Sequence, residues 1–120
     1  MAPLLRLLLI EDSSADEALV IRSLTDAGYH LAHERVDNSV SLTSALERQP
    51  WDVVIADYTM PGFSAGAIAD ALRERDADLP FIFVSDTSGE EAAVAAMRIG
   101  ARDYILKQRL DLLADRKSVV

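Results

Sequence analysis

The sequence predicts an α/β protein in which a parallel sheet lies between two layers of helices. Three observations support this class. Apolar runs alternate five times with segments of helical periodicity, and the central runs are hydrophobic throughout, as strands buried on both faces are. With 120 residues, the chain has the length of one domain. Five successive βα units imply a three-layer, doubly wound (βα)5 sandwich with right-handed crossovers.

The first βα unit begins with the apolar run at 5–10, which is short, contains an arginine and leads directly into acidic residues. These features favour a strand over a secretory signal peptide. Ser13 or Ser14 can cap the helix that follows, because a serine hydroxyl accepts a hydrogen bond from the first helical turn. Gly28 is predicted to end this helix.

The second unit is more polar than the first. Segment 31–36 is predicted to be an edge strand, since it lacks the continuous apolar character of a central one. Ser39 is predicted to cap a helix that stops before Pro50. The inner face of this helix is expected at Leu42, Ala45 and Leu46, which follow i, i+3 and i+4 spacing.

The last three units follow the same pattern. Their strands are predicted at 53–56, 81–84 and 104–106. Helices are expected from Ser64 to Arg75, from Ser88 to Ile99 with Gly100 as the stop, and from near Arg109 onward. Their apolar stripes are predicted at Ile68, Ala71 and Leu72 and at Leu110, Leu113 and Val120. The flavodoxin-like strand order 2-1-3-4-5 places the switch point between the first and third strands.

Composition argues against several classes of function. The formal charge of −8 disfavours binding to a nucleic-acid backbone or an anionic membrane. The absence of cysteine removes disulfides, thiolate chemistry and cysteine-ligated zinc, and is compatible with the cytoplasm. Apolar runs fall short of the roughly 20 residues of a membrane-spanning helix. The sequence contains neither a glycine-rich phosphate loop nor a dinucleotide-binding fingerprint.

Chemically capable side chains occur where the predicted strands end. Glu11 and Asp12 follow the first strand, Asp57 the third, Ser85 the fourth and Lys107 the fifth. The carboxyl ends of parallel strands meet at one edge of a sheet, and open α/β sheets bind their ligands there. The sequence therefore predicts one site containing three carboxylates, one hydroxyl and one ammonium group.

Three carboxylates held close together repel one another, so at least one pKa should rise unless a cation is present. Oxygen ligands without histidine or cysteine favour Mg²⁺ or Mn²⁺. Beside such an ion Asp57 can act as a nucleophile toward phosphorus, with Ser85 and Lys107 contacting the transferring phosphoryl group. Singly, these residues also fit plainer interpretations: Glu11 and Asp12 as a solvated helix-capping turn, Ser85 as a turn residue and Lys107 as a surface cation.

With these residues the chain resembles the receiver domain of two-component response regulators, and the resemblance covers essentially its whole length. The matching residues are the acidic pair Glu11–Asp12, the stretch 57–62, Ser85 and the block 100–107. As an ensemble they are highly specific.

The resemblance implies a role for each matching residue. Asp57 would be the phosphoacceptor, and Ser85 and Lys107 would contact the phosphoryl group. The Mg²⁺ ligands would be Glu11, Asp12, Asp57 and the backbone carbonyl of Thr59. Tyr104 matches the switch aromatic of the family, and the hypothesis is that it rotates into space vacated when Ser85 moves toward the phosphoryl oxygens.

The chain departs from the family pattern at two positions. Gln108 follows Lys107 where such domains usually have proline, and a non-proline residue disfavours a cis bond, so the loop before the last helix is expected to differ in shape. Asp86 stands where a small residue is common, and it could repel a phosphodonor or help to position water. Thr59 occupies a position at which family members vary and at which the phosphoryl lifetime is commonly tuned.

The function expected from this resemblance is a phosphoacceptor in a phosphorelay, supplied by a histidine kinase or a histidine phosphotransfer protein. Such a domain assists its own phosphorylation and is not an enzyme that turns over an external metabolite. Two alternatives stay open: a receiver-like interaction module that works without phosphorylation, and a small Mg²⁺-dependent phosphatase.

Residues 1–120 are expected to form a single receiver domain, which could be the front part of a longer protein. Its output module would be fused or separate, and the domain could form a homodimer on phosphorylation.

Overall fold

The fold is built on one parallel sheet. A computed structural model describes residues 4–87 and 89–115. Its strands are β1 (Leu4–Ile10), β2 (His30–Val36), β3 (Val53–Asp57), β4 (Phe81–Ser85) and β5 (Asp103–Leu106). Every neighbouring pair is parallel and the order is β2-β1-β3-β4-β5, which confirms the predicted topology and places the polar β2 at an edge.

Helices alternate with these strands, as the sequence predicts. They are α1 (Ser14–Asp26), α2 (Ser39–Arg48), α3 (Ala65–Arg75), α4 (Glu90–Arg98) and α5 (Leu112–Asp115). Ser13 caps α1 and Ser64 caps α3, each hydroxyl accepting a hydrogen bond from a backbone N–H of the first turn. None of the helices within the described residues has the length and apolarity that a membrane span requires.

The cap of α2 differs from the prediction. Asn38, not Ser39, occupies the N-cap position, with an extended backbone at φ −152°. Its side-chain oxygen accepts a hydrogen bond from the Ser41 amide at 2.8 Å, and the Ser41 hydroxyl accepts one from the Asn38 amide at 3.4 Å. This reciprocal capping box satisfies two backbone donors at once, which a cap at Ser39 would leave to other partners.

The two faces of the sheet bury separate apolar clusters. On one face, Val20 and Leu24 of α1 and Leu113 of α5 pack in a cluster with β1 residues Leu7 and Leu9. On the other face, α2, α3 and α4 cover a cluster that includes Leu42, Ile68, Leu72, Phe83 and Ala96. Full burial of a large apolar side chain contributes roughly 1.5–3 kcal/mol, so these clusters hold the strand ends in a rigid frame.

The segments around α4 and after β5 refine the predicted boundaries. The predicted start of α4, Ser88, lies outside the described residues; the helix begins at Glu90 after Gly89 and is closed by Gly100 at φ 102°. After β5 the chain forms one 3-10 turn over Lys107–Arg109 before α5.

Two of the three residues predicted to form the last apolar stripe can be located. Leu110 and Leu113 are buried as predicted, whereas Val120 lies outside the described residues. Gln108 falls within the 3-10 turn, and the peptide bonds of the described residues are trans.

Strand register aligns the carboxyl ends that carry the candidate site. Ile10 pairs with both Val36 and Ala56, and Asp57 pairs with Val84. At the next pair of strands, Ser85 lies opposite Leu106. One edge of the sheet therefore carries all the candidate residues: Glu11 and Asp12 after β1, Asp57 at the end of β3, Ser85 at the end of β4 and Lys107 after β5.

Candidate functional site

Three carboxylates meet at the switch point between β1 and β3. Oxygen atoms from Glu11, Asp12 and Asp57 all lie within 4.8 Å of one another. Glu11 and Asp57 are buried, whereas Asp12 is exposed. The Glu11 amide extends the β1–β2 ladder by donating to the Val36 carbonyl at 3.0 Å, so the backbone that carries this carboxylate is fixed by the sheet.

The electrostatics of this cluster favour a cation. The pKa of Glu11 is raised to about 7, first by burial and then by the negative charge of Asp57, while Lys107 and a backbone N–H of Ser13 act in the opposite direction. The rise agrees with the repulsion expected from the sequence. Carboxylate oxygens with surplus negative charge are the donor set that a hard divalent ion takes, so these residues fit Mg²⁺.

Lys107 reaches into the same pocket and contacts three carboxylates. Its Nζ lies 2.6 Å from Asp16 Oδ2, 3.1 Å from Asp57 Oδ2 and 3.2 Å from Glu11 Oε1, and only 9% of its side chain is exposed. Burial alone would lower the pKa of Lys107, but hydrogen bonds from the ammonium to Asp16 and Asp57 and the charge of Glu11 outweigh it and raise the pKa. Lys107 is therefore a fixed positive charge.

Both carboxylate oxygens of Asp57 have hydrogen-bond donors. The Thr59 backbone N–H donates to Oδ1 at 2.9 Å, while the Lys107 ammonium donates to Oδ2. The side chain is therefore held in one orientation at the end of a fully buried strand. The predicted role of the Thr59 carbonyl as a metal ligand stays a prediction.

Ser85 and Tyr104 are joined through one residue of the loop after β4. Ser85 Oγ accepts a hydrogen bond from the Thr87 amide at 3.0 Å, and the Tyr104 hydroxyl donates to the Thr87 carbonyl at 2.8 Å. The Tyr104 ring meets Tyr58 edge to face, with 5.3 Å between ring centroids. Asp86, between Ser85 and Thr87, is exposed.

The structure brings Glu11, Asp12, Asp57 and Lys107 together and places Ser85 at the same edge of the sheet. Two further residues that sequence reasoning missed contact members of this set. Asp16 lies in the first turn of α1, and Thr87 connects Ser85 to Tyr104 through its backbone. A helix that starts beside the acidic pair indicates that a first-turn carboxylate will lie near the site, which could have identified Asp16. The part played by Thr87 depends on loop geometry that its side chain does not encode.

Comparison with known proteins gives consistent results. A family model for the response regulator receiver domain matches residues 7–116. The transcriptional regulatory protein PrrA of Mycobacterium tuberculosis is 34% identical over 102 residues, which make up 85% of this chain and 43% of PrrA. The structure of NtrX from Brucella abortus superposes with a TM-score of 0.79 and 27% identity, covering 97% of this chain and 26% of that one.

A response regulator from Thermotoga maritima shares the fold over nearly the whole of both chains. Its TM-score is 0.80 at 24% identity, with 99% of this chain and 98% of that chain covered. The chain spans less than half the length of PrrA, so the comparison concerns the receiver part of that protein. The match over residues 7–116, together with the fold, shows that the chain belongs to the response regulator receiver domain family.

Proposed function

We propose that this domain accepts a phosphoryl group on Asp57 from a histidine kinase or a histidine phosphotransfer protein, in a reaction that depends on Mg²⁺. The observation that carries the proposal is the setting of Asp57. Its carboxylate ends a buried strand, is oriented by Thr59 and Lys107, and adjoins Glu11 and Asp12. Phosphoryl transfer requires chiefly an oriented nucleophile and positive charge that neutralises the phosphoryl oxygens. Asp57 would supply the first, and Lys107 together with a metal ion bound by the acidic residues would supply the second.

In the proposed step a carboxylate oxygen of Asp57 attacks the phosphorus of a phosphohistidine. A P–O bond to Asp57 forms while the P–N bond breaks, and the electron pair leaves with the imidazole, which takes up a proton. The Lys107 ammonium moves from the carboxylate to a phosphoryl oxygen, and the Ser85 hydroxyl donates to another. Mg²⁺ bound by Glu11, Asp12, Asp57 and the Thr59 carbonyl would neutralise phosphoryl charge.

Intact-mass spectrometry after incubation with acetyl phosphate tests this proposal. The wild type is expected to gain the mass of one phosphoryl group in Mg²⁺ and none in EDTA. Asp57→Asn keeps the shape of the side chain but removes the nucleophilic carboxylate, so the gain should be lost. Asp70→Asn, at an exposed position on α3, makes the same substitution away from the site and should label like the wild type.

Other outcomes contradict the proposal. A folded wild type that binds Mg²⁺ but gains no phosphoryl group would favour a phosphorylation-independent interaction module. Sustained release of phosphate from a generic phosphate ester, with no covalent intermediate on Asp57, would favour a phosphatase. Labelling that persists in Asp57→Asn would assign the phosphoacceptor to another residue.

The proposed switch runs from Ser85 to Tyr104 through Thr87. The Ser85 hydroxyl accepts a hydrogen bond from the Thr87 amide, so turning it toward a phosphoryl oxygen would shift Thr87. The Tyr104 hydroxyl donates to the Thr87 carbonyl and would lose or change this bond when Thr87 shifts. Because the Tyr104 ring also packs on Tyr58, its rotation would alter the surface formed by α4 and β5.

Ser85→Ala is expected to uncouple this switch. The variant should still be phosphorylated, about tenfold more slowly because one hydrogen bond to the phosphoryl group is lost. The change in the Tyr104 ring NMR signals on phosphorylation should fall by more than half. Tyr104→Phe, which removes only the hydroxyl that bonds to Thr87, should label at the wild-type rate; a full Tyr104 response in Ser85→Ala would contradict the coupling.

The length of the relatives bears on what this receiver regulates. PrrA, a transcriptional regulatory protein by name, is more than twice as long as the matched region. We therefore expect this receiver to act on an output module, fused or separate.

A further inference from the structure

Asp16 makes the shortest contact to Lys107. The distance from Lys107 Nζ to Asp16 Oδ2 is 2.6 Å, against 3.1 Å to Asp57 and 3.2 Å to Glu11. An ammonium group has three N–H donors, and here three carboxylates surround it. Asp16 therefore shares Lys107 with two residues that are also candidate metal ligands.

The backbone of Asp16 is fixed independently of Lys107. Its amide donates to the Ser13 hydroxyl at 3.2 Å, which places Asp16 in the first turn of α1. The N-terminus of a helix favours a negative charge at this position. The helix therefore fixes the backbone from which the Asp16 carboxylate contacts Lys107, whereas the sheet fixes the backbone of Asp57 and Glu11.

Of the three carboxylates that contact Lys107, Glu11 and Asp57 also belong to the candidate metal site, whereas Asp16 does not. Within the described residues, the group whose oxygens converge on one point consists of Glu11, Asp12 and Asp57, and Asp16 is not a member of it. A divalent ion bound there would neutralise the attraction of Glu11 and Asp57 for Lys107 and would repel its ammonium. Asp16 would then be the contact that keeps Lys107 beside Asp57.

We infer that Asp16 is a positioning residue for phosphoryl transfer, which holds the Lys107 ammonium where it can take a phosphoryl oxygen after the metal site fills. The inference rests on the proposed function. It assigns a task to a side chain on α1, whereas the proposed phosphoryl contacts, Ser85 and Lys107, lie at the end of β4 and directly after β5.

The labelling rate of Asp16→Asn with acetyl phosphate at saturating Mg²⁺ tests this inference. Loss of positioning should slow labelling about tenfold. The matched control is Glu17→Gln, which removes a negative charge from the same helical turn but from a side chain that pairs with Arg35 at 3.1 Å. Its rate should stay within about twofold of the wild type, because it leaves Lys107 untouched.

NMR of the Lys107 ammonium at saturating Mg²⁺ supplies a readout that does not depend on labelling. A signal from slowly exchanging Nζ protons is expected in the Mg²⁺-bound wild type and Glu17→Gln, and its loss is expected in Mg²⁺-bound Asp16→Asn. Without the metal all three proteins should keep the signal, because Asp57 and Glu11 still contact the ammonium. Absence of the signal from the Mg²⁺-bound wild type, or its survival in Mg²⁺-bound Asp16→Asn, would overturn the inference.

The rate comparison separates failure of this inference from failure of the proposed function. A wild type that labels, together with an Asp16→Asn variant within about twofold of it, would overturn the inference alone. Equal slowing of Asp16→Asn and Glu17→Gln would also overturn it, since the cause would then be charge at the helix terminus. A wild type that does not label at all would contradict both.

Discussion

Lys107→Met is expected to destabilise the metal-free protein by about 3 kcal/mol, because it leaves buried carboxylates without their shared cation. Glu11 and Asp57 are both buried, and Lys107 is the cation that contacts each of them. Methionine keeps most of the aliphatic stem, so the loss measures the ammonium more than the packing. Urea unfolding in EDTA, at constant pH and ionic strength, gives the difference in the free energy of unfolding.

Added Mg²⁺ should reverse most of this loss. A divalent ion among the same carboxylates replaces the missing positive charge, so the gap between Lys107→Met and the wild type should shrink below about 1 kcal/mol. Phosphorylation should nevertheless remain about a hundredfold slower, because the metal would not replace Lys107 as the proposed donor to the phosphoryl oxygen. Stability and labelling therefore respond differently to the same ion.

Arg22→Met is the matched control for Lys107→Met. Arg22 pairs with Asp26 at 3.9 Å, but both side chains are largely exposed. Exposed pairs of this kind contribute about 0–1 kcal/mol, so this variant should unfold almost like the wild type with or without Mg²⁺. An equally small effect of Lys107→Met would show that the buried carboxylates do not depend on Lys107.

The fold and the residues at the strand ends could both be predicted from the sequence, and one physical reason explains why. Parallel strands covered on both faces must be apolar along their length, so the polar residue that follows each strand marks the edge of the sheet. Because the carboxyl ends of such strands meet, residues as distant in sequence as Glu11 and Lys107 can be assigned to one pocket. Pairing of Ile10 with Ala56 and of Ser85 with Leu106 provides the alignment that the prediction assumed.

The details that escaped prediction depend on local geometry. Asn and Ser are both favoured helix caps, and the choice of Asn38 over Ser39 follows from the reciprocal bond with Ser41. Asp16 and Lys107 are 91 residues apart, and their contact requires the first turn of α1 to meet the 3-10 turn that follows β5. The link from Ser85 to Tyr104 uses the backbone of Thr87, which no side-chain pattern reveals.

The raised pKa of Glu11 predicts that the metal-free protein loses stability as pH increases. The pKa is about 7 in the folded protein against an ordinary 4.5, so the folded state holds a proton that the unfolded state releases first. The stabilising contribution of protonated Glu11 is complete below about pH 4.5 and disappears as pH rises through 7. Its size should be about 2 kcal/mol, less than the full shift converts to, because solvent near the pocket screens the charge.

Glu11→Gln isolates this contribution from those of other titrating groups. Glutamine has no proton to release, so the difference in unfolding free energy between variant and wild type should grow between pH 5 and 8, with the variant the more stable at the upper end. Glu74→Gln, at an exposed position on α3, should follow the wild type throughout. Urea unfolding in EDTA across this pH range measures all three proteins.

Mg²⁺ binding should show the opposite pH dependence. The ion competes with the proton on Glu11, so its affinity for the wild type should rise about tenfold per pH unit below pH 7 and level off above it. Glu11→Gln should bind Mg²⁺ more weakly at pH 8 but with a flatter pH profile, because its ligand atom does not titrate. If calorimetry finds the same slope in both proteins, the proton that competes with Mg²⁺ is not on Glu11. With rising pH, the stability of the metal-free protein should fall while its affinity for Mg²⁺ rises. If Glu11→Gln removes both trends, the buried Glu11 carboxylate binds Mg²⁺ at a cost to the stability of the metal-free protein.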